Sequence, residues 1–277
     1  MELEHTHCPL CNREKKCKAY PNFSPYEVVR CQSCNFYYLS PRPTEASMLQ
    51  LYSDNTYFEG KGGGYNSYIE QELALRLTFR RLMKNLKKRN LTGGSLLEVG
   101  CGYGYLLDEA KDFFSLRVGS EFSSKAVEHA KLRADYIYYG GVDQIPDDQK
   151  FDCIISTQVI EHVYHPQAFL KELLKHLNPG GKMIVATPNM GSLWRYVMGH
   201  RWPSFKIPEH VIYFDQKSLS NLMHQVGLVG IKPLPYPHAF PVPLIATKLN
   251  ISLPSVLNKL NLWLPATTLA LSGTFLK

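Results

Sequence analysis

The feature that most constrains this chain is a short apolar run that ends in an acid and opens into three glycines. Residues 95–104 read Ser-Leu-Leu-Glu-Val-Gly-Cys-Gly-Tyr-Gly, and a helical pattern follows directly. A buried strand, a tight glycine loop and a helix in this order begin many nucleotide-binding α/β domains. The run therefore predicts where a ligand binds, and the details of the loop indicate which ligand.

The loop does not suit a pyrophosphate. A dinucleotide fingerprint places its third glycine at the sixth position, where this chain has Tyr105. Glu98, just before the glycines, would repel a phosphate but attract an ammonium group. Glu121, which ends the next apolar run, can accept hydrogen bonds from both hydroxyls of a ribose. The pattern favours a nucleoside that carries an amino-acid tail.

Strand and helix patterns alternate along the middle of the chain, which predicts an α/β fold with a parallel sheet and helices on both faces. A further strand is expected at 227–234. The other expected strands lie near 95–99, 116–121, 136–139, 152–157 and 182–187, and the expected helices near 104–113, 123–132, 166–176 and 216–226.

Over most of residues 93–235 the chain resembles the class I S-adenosylmethionine-dependent methyltransferases. The matching segments are the glycine motif at 98–104, the ribose motif at 119–123, the fourth strand and its turn at 151–163, and the entry to the fifth strand at 177–185. The resemblance implies a Rossmann-like, seven-stranded, mostly parallel sheet. It also implies that the last residues form an antiparallel strand inserted at the sheet edge.

The resemblance also implies the residues that bind S-adenosylmethionine. The loop would hold the methionine moiety, with Glu98 at its ammonium and Glu121 at the ribose. Gly141 departs from the family pattern, which often has an acid there, so either Asp143 or backbone groups of residues 140–143 are expected at the adenine edge instead. The expected cofactor-binding residues are Glu98, Gly100, Cys101, Gly102, Gly104, Glu121, Phe122 (packed on the adenine), Asp143, Thr157 and Gln158.

Two Cys-x-x-Cys pairs stand near the amino terminus. Cys8 with Cys11 and Cys31 with Cys34 supply the four thiolates of a tetrahedral structural zinc site. A redox pair would normally accompany a thioredoxin-like βαβ unit, and the sequence shows none. We therefore predict that Zn²⁺ binds these cysteines in a small zinc-ribbon-like module.

The chain divides into four predicted parts. They are a zinc-binding module at 1–44, a helical linker or cofactor lid at 45–92, the methyltransferase domain at 93–235, and a segment at 236–277 that completes the sheet or caps the acceptor site. The linker contains a short helix from Glu45 to Tyr52, a glycine hinge at 60–64 and a longer helix that begins at Asn66 or Ser67 and ends near Asn90. A short helix is also expected at 253–264.

Charge and hydropathy restrict the partners. The net charge is +7, with no Asp or Glu from Gln216 to Lys277 and a basic stretch from Arg76 to Arg89. A solvated surface explains this pattern, and a contact with a membrane surface or another anionic partner stays open. No signal peptide and no run of about 20 apolar residues is present, so we expect a cytoplasmic protein without a transmembrane segment.

Two histidines are candidates for catalysis. His162 follows the fourth strand and His210 lies in the insertion after the fifth, the two regions that face the acceptor in resembling enzymes. An imidazole is a suitable general base, and a structural role is the alternative for each. The sequence 156–158, Ser-Thr-Gln, offers no acidic ligands for magnesium, so the chemistry is predicted to be metal-independent.

The leading interpretation is a methyltransferase that acts on a small-molecule or glycan acceptor, at oxygen rather than at carbon. The alternatives are a zinc-module ribosomal RNA methyltransferase and a non-catalytic cofactor-binding protein. Basic residues near the cysteine pairs are few, which makes nucleic acid the less expected partner.

Overall fold

The computed structural model describes residues 1–53, 71–243, 246 and 260–276. The helices are α1 Glu45–Ser53, α2 Glu72–Lys87, α3 Tyr105–Glu109, α4 Ser124–Ala130, α5 Pro166–Lys175, α6 Leu193–Met198 and α7 Gln216–Gln225. The strands are β1 Leu3–Glu4, β2 Lys16–Phe23, β3 Tyr26–Cys31, β4 Tyr37–Leu39, β5 Arg42–Pro43, β6 Ser95–Val99, β7 Leu116–Glu121, β8 Tyr136–Tyr139, β9 Phe151–Thr157, β10 Leu177–Pro188, β11 Ile212–Tyr213, β12 Leu228–Pro233, β13 His238–Pro241, β14 Asn261–Leu264 and β15 Thr268–Phe275.

The central sheet has seven strands in the order β12-β15-β10-β9-β6-β7-β8. Strands β6 to β10 run parallel, and β15 is antiparallel to both of its neighbours. This confirms the predicted Rossmann-like, mostly parallel sheet. The last strand is not at the edge as expected, because β12 pairs with its outer side.

Both faces of the sheet are covered, which explains the nearly continuous apolar runs of the strands. Successive side chains alternate between the two faces. In β10, for example, Met183 and Val185 face one core while Ile184 and Ala186 face the other. Apolar residues of α5 and α7 cover the first core, and those of α2, α3 and α4 cover the second.

The amino-terminal segment forms a second sheet that a distant segment completes. Its order is β11-β4-β3-β2, so the two-residue strand β11 extends a sheet built from residues 16–39. The buried residues Cys8, Cys31 and Tyr38 belong to the same apolar core as Val211 and Ile212. The cysteine-bearing segment is thus packed onto the domain that carries the central sheet.

The carboxyl-terminal region differs from the expected helix at 253–264. Residues 261–264 form β14, which pairs antiparallel with β13. Cross-strand contact with His238–Pro241 outweighs local helix preference here. The remainder of that expected helix, the glycine hinge at 60–64 and the expected helix start at 66–67 lie outside the described residues.

Two arginines of the basic helix α2 are paired with acids. Arg76 contacts Glu72, Asp108 and Glu109, and Arg80 also contacts Glu109, at 2.7–3.2 Å. These arginines are therefore committed to the contact between α2 and α3 and do not form an open anion-binding surface. Within the described ranges, no helix has both the length and the apolar character needed to cross a bilayer.

Candidate active site

The glycine loop joins β6 to α3 at the carboxyl end of the parallel strands. Gly100 and Gly104 have φ values of +70° and +76°, a conformation that favours glycine. Each also approaches a neighbour closely. A Cβ on Gly100 would lie 2.5 Å from Cγ2 of Val159, and one on Gly104 would lie 3.0 Å from the Cα of Ala130. The glycines therefore hold the loop against the β9 turn and against α4.

Comparing Gly100→Ala with a control substitution distinguishes the cost of backbone strain from the cost of the close contact with Val159. Gly180 is the matched control, because its φ is +80° and no atom lies within 4 Å of its added Cβ. We expect Gly180→Ala to destabilise the fold by about 1 kcal/mol and Gly100→Ala by about 3 kcal/mol. Chemical denaturation measures both, and equal losses would show that the contact with Val159 is not tight.

Glu121 ties the loop to the end of β7. Its carboxylate accepts hydrogen bonds from the backbone N–H groups of Gly102 at 2.8 Å and Ser123 at 2.9 Å. The N–H of Cys101 donates to the carbonyl of Ser120, so the loop is bonded to β7 through its backbone as well. Burial raises the pKa of Glu121, which these N–H donors oppose. Each carboxylate oxygen keeps a lone pair that a ribose hydroxyl can use.

Glu98 is a buried carboxylate that lacks a full set of partners. Its side chain is 2% exposed, and Oε2 has no hydrogen-bond partner. Burial and the charge of Glu121 raise its pKa well above the usual range. An uncompensated buried acid is costly, and an ammonium placed beside it would supply the missing partner. This is the position at which the sequence predicts the ammonium of an amino-acid tail.

Phe122 and Asp143 flank the open side of the loop. Phe122 is 59% exposed, so its ring is available to a planar ligand. A Cβ on Gly141 would lie 2.9 Å from the Phe122 ring and 2.6 Å from an Asp143 carboxylate oxygen. A side chain at 141 would therefore have to displace the outer ends of Phe122 and Asp143, both of which are exposed.

The floor of the predicted cofactor site is formed where β9 ends. Thr157 is buried, and Gln158 has a φ of +56° with its backbone N–H bonded to the carbonyl of Ala186. Nε2 of Gln158 is buried without a partner. As at Glu98, a buried polar atom remains available for a hydrogen bond.

A buried acid and two histidines meet beside this floor. Candidate ligand atoms of Glu161, His162 and His210 all lie within 4.8 Å of one another, and the two imidazole rings pack edge to face at 4.7 Å. The hydroxyl of Thr187 donates to one Glu161 oxygen at 2.9 Å, while the other oxygen, Oε1, has no partner. The two histidines that the sequence singles out are therefore neighbours, although 48 positions separate them in the chain.

Backbone carbonyls orient both imidazoles. Nδ1 of His162 lies 3.0 Å from the carbonyl oxygen of Glu209, and Nδ1 of His210 lies 2.9 Å from that of Ser204. A carbonyl only accepts, so Nδ1 carries the proton and Nε2 is left as the basic atom in each ring. Burial lowers the pKa of His162 to about 4, and burial also lowers the pKa of His210 well below the usual range, so both are neutral at pH 7.

One residue of this cluster and one buried tyrosine were missed by sequence reasoning. Burial raises the pKa of Glu161 to about 7, which makes it the acid best matched to a proton transfer at neutral pH. Tyr236 is buried, and its burial together with the charges of Glu98 and Glu161 raises its pKa. The adjacent pair Glu161-His162 was a sequence signal for the first, and none marked Tyr236.

The four amino-terminal cysteines also come together. Their sulfur atoms lie within 4.8 Å of one another, with Cys8 and Cys34 at 3.5 Å and Cys11 and Cys31 at 3.6 Å. A tetrahedral site with metal–sulfur bonds of about 2.3 Å separates its sulfurs by about 3.8 Å. The backbone N–H of Ser33 points at Sγ of Cys31 at 3.4 Å, a contact typical of metal-binding knuckles. The donor set and spacing fit such an ion.

Comparison with known proteins agrees with this geometry. The family model described as a methyltransferase domain matches residues 65–232. A ubiquinone biosynthesis O-methyltransferase from Rhodopseudomonas palustris is 30% identical over 56% of this chain and 72% of its own length. One from Bradyrhizobium diazoefficiens is 27% identical over 54% and 68%.

Solved structures share the fold. An S-adenosylmethionine-dependent methyltransferase from Thermotoga maritima superposes with a TM-score of 0.57 at 21% identity, covering 79% of this chain and 97% of its own. Magnesium protoporphyrin IX methyltransferase from Synechocystis, with bound S-adenosylhomocysteine, gives 0.54 at 13% identity, covering 83% and 99%. With the family match over residues 65–232, the chain belongs to the methyltransferase-domain family and is a class I S-adenosylmethionine-dependent methyltransferase.

Proposed function

We propose that the enzyme methylates a hydroxyl oxygen of a small-molecule or glycan acceptor. The observation that carries this proposal is the Glu161–His162–His210 cluster, in which Glu161 and His210 are buried and His162 is partly exposed. A hydroxyl acceptor must lose a proton, and these residues can take it. The relatives named as O-methyltransferases of ubiquinone biosynthesis support an oxygen acceptor.

The residues on the cofactor side of the site position S-adenosylmethionine for the transfer. S-adenosylmethionine, when bound, supplies a methyl group already activated by the sulfonium. We assign its ammonium to Glu98, its ribose to Glu121 and its adenine to Phe122 and Asp143. Gly100, Cys101, Gly102 and Gly104 would enclose the methionine moiety, above a floor of Thr157 and Gln158. Holding donor and acceptor in line accounts for much of the rate enhancement in such a transfer.

The acceptor side has the task of moving one proton. In this proposal, Nε2 of His162 or His210 accepts the hydroxyl proton while the oxygen bonds to the methyl group. A neutral imidazole with a lowered pKa is a weak base by itself, but the Glu161 carboxylate would stabilise the imidazolium as it forms. The cluster therefore works as a unit, with its basicity governed by Glu161.

The four cysteines are assigned to a structural zinc ion. Cys34→Ser should lower the bound zinc from about one equivalent to well below one, because three thiolates leave the tetrahedral site incomplete. Cys17→Ser is the matched control, since Cys17 lies outside the group of four cysteines and its Sγ donates to the carbonyl of Arg30 at 3.6 Å. Elemental analysis of the purified proteins measures both, and equal zinc in the two variants would contradict the assignment.

Formation of S-adenosylhomocysteine with panels of acceptors tests the function. We expect product with hydroxylated aromatic compounds or sugars and none with ribosomal RNA. Methylated RNA with steep salt dependence would support the RNA enzyme instead. Binding of S-adenosylhomocysteine without turnover on any acceptor would support a non-catalytic protein.

A further inference from the structure

The amino-terminal cysteine module, defined here as residues 1–44, makes its contacts with the domain on the acceptor side of the site. We infer that this module is a positioning element for the Glu161–His162–His210 cluster: its folding around the metal fixes the 209–214 segment without acting on the cofactor loop. The inference rests on the proposed function, because it takes this cluster as the acceptor side.

Val211 is the main bridge between the two regions. Its carbonyl accepts from the N–H of Leu39 in the module, and its own N–H donates to the carbonyl of Glu161, both at 2.9 Å. Val211 directly follows His210 in the chain. Val211 therefore connects the backbone of Glu161 and of His210, two members of the cluster, to β4, the strand that follows the second cysteine pair.

Strand pairing and ring packing extend this bridge. Ile212 and Tyr213 pair with Tyr38 and Tyr37 as β11 and β4. Beyond β11, the ring of Phe214 packs on Phe36 at 5.0 Å between centroids, and both are buried. The carbonyl of Phe36 in turn accepts from the N–H of the cysteine ligand Cys31. The single ring contact between Phe36 and Phe214 therefore connects the segment that holds Cys31 to the 209–214 segment.

A second set of contacts supports the carbonyl that orients His210. Phe205 follows Ser204, whose carbonyl oxygen faces Nδ1 of His210. The Phe205 ring packs on Tyr20 at 4.8 Å and on Phe23 at 5.4 Å, and both rings belong to the module hairpin. If the β2–β3 hairpin loosens, Phe205 loses this support, and the Ser204 carbonyl that orients His210 is then held less firmly.

The cofactor loop has a different support. Cys101, Tyr103 and Tyr105 pack in the core formed with α2, α3 and α4, which contains no module residue among its described members. Glu121 holds Gly102 from β7, again without the module. A disturbance of the module should consequently reach the histidine cluster before it reaches the S-adenosylmethionine site.

Hydrogen exchange of the full-length protein, with its metal present and after removal by a chelator, tests this selectivity. We expect exchange at 209–214 to become at least about 10-fold faster without metal and to recover on reloading with Zn²⁺. Exchange at 95–104 and the dissociation constant of S-adenosylhomocysteine should stay within about 2-fold. Unchanged exchange at 209–214 in metal-free protein, or equal acceleration at 95–104, would overturn the inference.

A variant that leaves the cysteines intact gives an independent test. Phe36→Leu weakens the contact with Phe214, while Phe113→Leu changes an aromatic ring on the cofactor-loop side of the sheet. We expect faster exchange at 209–214 in Phe36→Leu only, with zinc content unchanged. The same exchange in both variants would overturn the inference. Wild-type protein that fails to bind S-adenosylhomocysteine would instead contradict the proposed function.

Discussion

Glu161→Gln should reduce methyl transfer by about 100- to 10,000-fold, the range expected when a group needed for proton transfer is removed. The amide keeps the shape of the side chain and its contact with Thr187. It cannot carry the negative charge that stabilises an imidazolium at His162 or His210. Initial rates of S-adenosylhomocysteine formation with an accepted substrate measure the effect.

The loss should fall on turnover and not on cofactor binding. We expect the dissociation constant of S-adenosylhomocysteine to change by less than about 3-fold, because Glu161 lies on the acceptor side. His162→Ala and His210→Ala should each lower the rate, and combining either with Glu161→Gln should add little, since the three act as a unit. Fully additive losses would contradict a shared proton-transfer role.

The same three residues are of types that also bind divalent cations. Metal-independent chemistry predicts that added Mg²⁺ or Mn²⁺ leaves the rate of the zinc-loaded enzyme unchanged. A rate that rises with either ion, and loses this response in Glu161→Gln, would show that the cluster binds a cation and would replace the base mechanism.

Glu121→Gln should weaken S-adenosylhomocysteine binding by about 100-fold, or about 2.7 kcal/mol. The carboxylate accepts from Gly102 and Ser123 at once. A glutamine would direct its amide N–H₂ at one of these N–H donors and would lose a charged acceptor for the ribose. The loop and the ligand are therefore both affected, which isothermal titration calorimetry can measure.

The control for this variant is Glu172→Gln on α5, whose carboxylate pairs with Lys175 at the surface. Surface ion pairs contribute little, so cofactor affinity should not change. A Glu121→Gln protein that binds S-adenosylhomocysteine as well as the wild type would show that this acid neither shapes the loop nor contacts the ribose.

The sequence predicted the central sheet well because burial on both faces leaves a strong local signal. The predicted strands 95–99 and 116–121 match β6 and β7, including the acid that ends β7. Strand β11 has only two residues and owes its existence to pairing with β4, in which Ile212 faces Tyr38, 174 positions earlier in the chain. A local pattern cannot reveal such a strand, and the expected helix at 253–264 was wrong in its described part for the same reason.

The roles of the candidate site residues stay predictions. The glycine and ribose motifs indicated Glu98 and Glu121, the family resemblance indicated His162 and His210, and the structure brings the two histidines together. The importance of Glu161 depends on its burial and on an oxygen without a partner, which only tertiary structure determines. Tyr236 follows the edge strand β12 and is buried in the core that α2, α3 and α4 cover, where the charges of both acids affect its pKa, and no local signal marks that position.

The pH dependence of kcat/KM, compared in wild type and Glu161→Gln, tests the central claim most directly. Burial raises the pKa of Glu161 to about 7, so the carboxylate is protonated and inactive below that pH and charged above it. The wild-type rate should rise with pH and level off above an apparent pKa near 7, which belongs to the cluster as a whole. In Glu161→Gln this rise of kcat/KM with pH, the acidic limb of the profile, should disappear along with most of the activity. A variant that keeps the wild-type rate and the same limb would show that Glu161 takes no part in moving the proton.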